Sequence, residues 1–145
     1  MKRIFIDASV LFSASLSLTG ASRELVRLSI QDKIALVANE LVLQEVEKNI
    51  SIKNPKAIEQ YRSLKEILKI ELVEPVKEEI LAVLPYTVLK DAPHLASAIK
   101  AEVHCLVSLD RKHMIDVREA IETNLGLRIL LPSELLAELR SEGET

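Results

Sequence analysis

The chain has 145 residues, 48% hydrophobic and 28% charged, which suits one domain with one buried core and excludes a disordered chain. Its net charge of -3 lacks the basic surplus of an avid phosphate binder, although a site for divalent cations would itself lower the total. The three glycines, Gly20, Gly126 and Gly143, exclude a phosphate-cradling G-x-x-x-x-G-K loop, and the single Cys105 excludes an internal disulfide and fits a reducing compartment.

At the N-terminus, "MKRIFIDASVLFSASLSL" has the basic start and apolar stretch of a signal peptide. Asp7 interrupts that stretch, and no run reaches the ~18 apolar residues of a membrane span, so a cytoplasmic protein is expected. Along the chain, "RIFID", "IALVAN", "IELVEPV", "HCLVSL" and "LRILL" are rich in β-branched residues and bounded by polar residues or prolines. They predict buried strands. Between them, "ELVLQEVEKNI" repeats at helical steps through Leu41, Val42, Glu45 and Val46. "PKAIEQYRSLKEILKI" carries an apolar stripe of Ile58, Tyr61, Leu64 and Leu68. "DAPHLASAIKA", "DRKHMIDVREAIETNL" and "PSELLAELRSE" complete the helices, which open on Asp or on Ser near their starts. The alternation predicts a three-layer α/β/α domain over residues 1–140, with a central, mainly parallel sheet of four to five strands and a frayed tail at 141–145.

In such a sheet the functional crevice lies beyond the carboxyl ends of the strands, so the polar residues expected there matter most. Asp7 closes the first strand and Asp110 the fourth. Asp91 opens the helix before that fourth strand, and Glu45 lies about one and a half turns into the helix after the second. Asp91 and Asp110 each suit a helix cap as well as a ligand, and Glu45 suits a solvated helix face. If the four converge, each like-charge contact at ~4 Å costs roughly 4 kcal/mol at an effective dielectric near 20. Only protons or cations among them make that tolerable, and carboxylate oxygens select hard ions such as Mg²⁺ or Mn²⁺.

"FIDASVL", "ANELVLQEV", "DAPHLASAIKAEVHCLVSLD" and "LRILLPSELLAEL", in that order, resemble a PIN domain over nearly the whole chain. The D-x-P-H-x-x-x-A block followed by V-S-L-D is the most specific part. The resemblance implies a metal-dependent endoribonuclease with Asp7, Glu45, Asp91 and Asp110 as both catalytic and metal-binding residues around one or two Mg²⁺ or Mn²⁺ ions. It implies 5′-phosphate and 3′-hydroxyl products. Asp7 and Asp91 are expected as direct ligands, Glu45 as the residue that completes the site, and Asp110 as acting through water.

Ser108 keeps the hydroxyl that relatives supply from Thr, and Ser9 stands where it could orient Asp7. His94, three residues after Asp91, is expected in a structural or peripheral role. His113 and Met114 follow the last acid where many relatives carry Phe. Arg111 and Lys112 are candidate phosphate contacts, as are Lys56, Arg62, Lys65 and Lys69, although Glu59 and Glu66 interleave with the latter and a solvated helix face is the commoner explanation. A free-standing domain of this size resembles a toxin ribonuclease of the VapC type. That implies an RNA substrate, an antitoxin partner protein and a homodimer, and no membrane partner. The alternative is a PIN-like binding or regulatory module with weak or no nuclease activity.

Overall fold

The structure, a computed structural model, describes residues 1–143. Five strands form one sheet: β1 (Lys2–Ile6), β2 (Ile34–Ala38), β3 (Glu71–Leu72), β4 (Cys105–Val107) and β5 (Ile129–Leu130). Their order is β3-β2-β1-β4-β5, and every pairing is parallel. The central strands carry Ile4, Phe5 and Ile6, Leu36 and Val37, and Leu106 and Val107, all with no exposed surface. Burial on both faces is what their continuous apolar runs require, and it places helices on either side of the sheet. The three-layer α/β/α expectation therefore holds, with all five strands parallel.

The helices are α1 (Ala8–Leu16), α2 (Ala21–Ile30), α3 (Glu40–Lys53), α4 (Ile58–Ile67), α5 (Lys77–Val83), α6 (Ala92–Lys100), α7 (Arg118–Leu125) and α8 (Pro132–Ser141). Three differ from the sequence reading. Helices α1, α2 and α5 are additional. In α1 the buried residues Ala8, Val10, Leu11, Ala14 and Ser15 leave no clean polar face to betray a helix. The segment 70–76, expected as a buried strand, pairs only with β2 at the sheet edge, and both residues of β3 are exposed. The run 110–125 is broken: Arg111–Ile115 forms a single π-helical turn, and α7 begins only at Arg118.

At the end of the sheet opposite the carboxyl edges, Glu138 of α8 accepts from His104 Nε2 at 2.7 Å and from Arg128 Nη2 at 2.9 Å. Those hydrogen bonds hold its carboxyl down to about 2. Within the expected frayed tail, Ser141 closes α8 and Glu142 pairs with Lys2. The remainder of that expectation, 144–145, lies outside the described residues. Cys105 is fully buried in β4, and burial pushes its thiol up to about 12, the state of an inert core cysteine. Among the described residues no helix is long and apolar enough to cross a membrane.

Candidate active site

The strand order reverses between β1 and β4, since the chain runs outward from β1 to β2 and β3 before returning to the other side. Just beyond the carboxyl ends at that point lies a crevice of about 290 Å³. Asp7, Glu45, Asp91 and Asp110 all line it, with Ala8, Ser9, Phe12, Asn49, Lys53 and Lys90. The sheet supplies Asp7 and Asp110 from adjacent strand exits, while α3 carries Glu45 and the start of α6 brings Asp91.

Two serines fix Asp7. Its Oδ2 accepts from Ser108 Oγ at 2.6 Å and from Ser9 Oγ at 3.3 Å, and its Oδ1 accepts from Ala8 N at 2.9 Å. Ser108 Oγ in turn accepts from Asp110 N at 3.0 Å, and Ser9 Oγ accepts from Leu109 N at 3.0 Å. The hydroxyls thus tie the loop after β4 to the end of β1. Asp110 Oδ1 accepts from His113 N at 3.1 Å, so it caps the π-helical turn with one oxygen and keeps the other for the crevice side. His113 Nδ1 stands 3.5 Å from Asp110 Oδ2. The cap thus uses only one of the two carboxylate oxygens.

Asp91 does not cap its helix. Its backbone is already helical at φ -94° and ψ -15°, and its side chain makes no capping bond. The residue is buried, and among the described residues no donor reaches Oδ2. Burial raises its carboxyl above the ordinary value, and the charge of Asp7 raises it further. An orphaned carboxylate oxygen in an acidic crevice is unfavourable unless a cation or a proton completes it.

His94 has no exposed surface and touches no solvent. Its Nε2 lies 3.0 Å from Glu45 Oε1 and its Nδ1 lies 3.1 Å from Asn39 Nδ2. Burial works against a charge on the ring, the Glu45 hydrogen bond and the Asp7 charge work for it, and the net direction is upward. The ring is enclosed between Glu45 and Asn39 and presents no surface to solvent. Arg111 and Lys112 are exposed but do not line the crevice. Arg62 is engaged by Glu47 and Glu59, and Lys65 lies over the Tyr61 ring. The cations that do line it are Lys53, whose Nζ stands 5.4 Å from the Phe12 ring centroid, and Lys90. Sequence reasoning missed both, although Lys53 shares one face of α3 with Glu45 at a spacing of eight residues and Lys90 directly precedes Asp91.

A family model described as PIN domain matches residues 3–112, a span that contains all four acids. The chain belongs to the PIN-domain family. The same fold occurs in the crystal structure of PAE2754 from Pyrobaculum aerophilum, with a TM-score of 0.62 at 19% identity, covering 97% of this chain and 98% of that one. Among curated proteins no match is found. PIN domains are commonly metal-dependent nucleases, and the donors of this PIN domain fit a divalent cation. Asp91, Asp110 and His113 each offer one ligand atom, all within 4.8 Å of one another. The orphaned Asp91 Oδ2 adds an independent reason for a cation beside them. A donor set dominated by carboxylates favours hard ions, and an imidazole nitrogen admits Mn²⁺ more readily than Mg²⁺.

Proposed function

We propose that this PIN domain is a divalent-metal-dependent endoribonuclease of the D-x-P-H branch, acting as the toxin of a toxin–antitoxin pair in the cytoplasm. The observation that carries the proposal is the convergence of Asp7, Glu45, Asp91 and Asp110 on one crevice, with a buried Asp91 oxygen that no donor satisfies. A bound Mg²⁺ or Mn²⁺ supplies Lewis-acid polarisation of the phosphodiester and lowers the pKa of water. Asp7 and Asp91 would hold that ion and Glu45 would complete the site, while Asp110 and His113, whose ligand atoms lie within 4.8 Å of that of Asp91, would stand beside it.

The chain's own contribution is rigid placement. Ser108 and Ser9 fix the carboxylate of Asp7, so its oxygens need no reorganisation when cation and substrate arrive. Lys53 and Lys90 at the same crevice offset its negative field and give phosphate oxygens a first point of contact. Arg111 and Lys112, exposed immediately past Asp110, extend that contact along an RNA strand. With two Phe and two Tyr in the chain, base stacking is a small part of recognition. The partners in this proposal are an RNA substrate, an antitoxin segment that covers the crevice, and a second copy of the chain.

The test is incubation of a mixed-sequence single-stranded RNA with the protein and Mn²⁺ or Mg²⁺, then with chelator. Cutting that needs the metal, stops with chelator and leaves 5′-phosphate ends is expected. No cutting of any single-stranded pool by a protein that binds Mn²⁺ would turn the proposal towards a binding module.

A further inference from the structure

Asn39 connects the fold to the acid site through a chain of hydrogen bonds whose directions are fixed. Asn39 closes β2 and caps α3: its Oδ1 accepts from Val42 N at 2.9 Å. That bond settles the amide's orientation, so Nδ2 is the atom facing α6. Nδ2 donates to Ser97 Oγ at 2.9 Å, lies 3.1 Å from His94 Nδ1 and reaches the Pro93 carbonyl oxygen only at 3.5 Å. An amide nitrogen has only donors to offer, so Nδ1 must be an acceptor and the ring proton must sit on Nε2. Nε2–H then points at Glu45 Oε1, 3.0 Å away.

Each member is held. Asn39, His94 and Ser97 have no exposed surface, and the Phe5 ring of β1 packs near His94 with centroids 6.2 Å apart. The relay spans two helices. Glu45 stands on α3, whereas His94 stands on α6, three residues beyond Asp91. The bond between them therefore ties together the two helices that bring these acids to the crevice. It also engages Oε1 of Glu45, and among the described residues no donor reaches Oε2.

We propose that Asn39 and His94 are positioning residues: the Asn39 amide fixes His94 with Nδ1 accepting and Nε2–H donating, and that donor holds Glu45 with its second oxygen presented to a divalent cation. The proposal rests on Glu45 belonging to the cation site. Outer partners that orient a ligand in this way change metal affinity by roughly 10–100-fold when removed.

Three variants separate positioning from simple packing. His94→Gln carries an amide N–H near the place of Nε2–H and should keep Mn²⁺ affinity near that of the wild type. His94→Leu fills the space without a donor and should weaken Mn²⁺ binding by about tenfold or more in titration calorimetry. Asn39→Asp keeps the cap of α3 but presents Nδ1 with an acceptor, so ¹⁵N NMR at mildly alkaline pH should show protons on both ring nitrogens. The wild type should show one, on Nε2. A wild-type ring protonated on Nδ1 alone would overturn the relay. So would equal Mn²⁺ affinity in all His94 variants. A wild type that binds no Mn²⁺ would refute the cation site and the presentation of Glu45 to it, while the NMR spectra would still decide the relay of protons.

Discussion

Asp91→Asn is expected to abolish metal-dependent RNA cleavage while making the metal-free protein more stable. The two effects share one cause. Asp91 is 3% exposed, its Oδ2 has no donor, and Asp7 and Asp110 both bring negative charge toward it. Burial first, then Asp7, raises its carboxyl above the value of 3.8 it has when unfolded. A raised carboxyl binds its proton more tightly in the folded state. Its contribution to stability is therefore full below pH 3.8 and is lost as pH rises through the folded value. At neutral pH the metal-free protein carries that charge at a cost, and a neutral Asn relieves it.

The expected melting temperature of the metal-free variant is higher by about 3 °C or more, since each kcal/mol is worth a few degrees in a chain of this size. Cleavage is expected to fall by roughly 10²–10³-fold or more, the loss typical of one preorganised electrostatic group. Added Mn²⁺ should raise the wild-type melting temperature and leave the variant's unchanged. A variant that melts lower than wild type without metal, yet still cuts RNA, would return Asp91 to a structural role.

Phe5→Ala is expected to be the most destabilising single truncation near the site. Phe5 sits on the central strand β1, paired with Val37 on one side and Leu106 on the other, with no exposed surface. Truncating a buried Phe removes its transfer free energy and leaves a cavity, a loss of about 3–5 kcal/mol. Its ring also backs His94, so the cavity opens behind the residue that holds Glu45. Chemical denaturation should show the full loss without metal. Mn²⁺ should recover part of it by mass action, about 2.7 kcal/mol at one hundred times the dissociation constant if the site survives. A Phe5→Ala protein as stable as wild type would contradict the packing described for the central strands.

The sheet was legible because its inner strands are buried on both faces and read as unbroken apolar runs. The failures follow from the same physics. Helix α1 is also packed almost all round, so it lacks the polar stripe that marks a surface helix. The run "IELVEPV" reads as a buried strand, but β3 is a two-residue edge held by backbone pairing to β2, with both side chains exposed.

The four acids could be placed from sequence because strand ends and helix starts both fall at the carboxyl edge of a parallel sheet. What could not be read was the state of each. Asp110 and Asp91 look alike as caps, yet Asp110 accepts a backbone N–H and Asp91 does not. That difference arises from the backbone at Asp91, already helical, which carries its side chain away from the free N–H groups. His113 was visible only as a departure from relatives. The π-helical turn that brings it beside Asp91 and Asp110 has no periodicity a short sequence can reveal. Asn39 seemed to be only the end of a strand, and its link to His94 crosses more than fifty residues of chain.

The central claim is that these carboxylates form one divalent-cation site. The most direct measurement is the anomalous diffraction of a crystal grown with Mn²⁺. A peak in the crevice, within ligand distance of Asp7 and Asp91 and with Glu45 turned toward it, is the result the account predicts. A crystal at saturating Mn²⁺ with no anomalous peak among these four residues would contradict it.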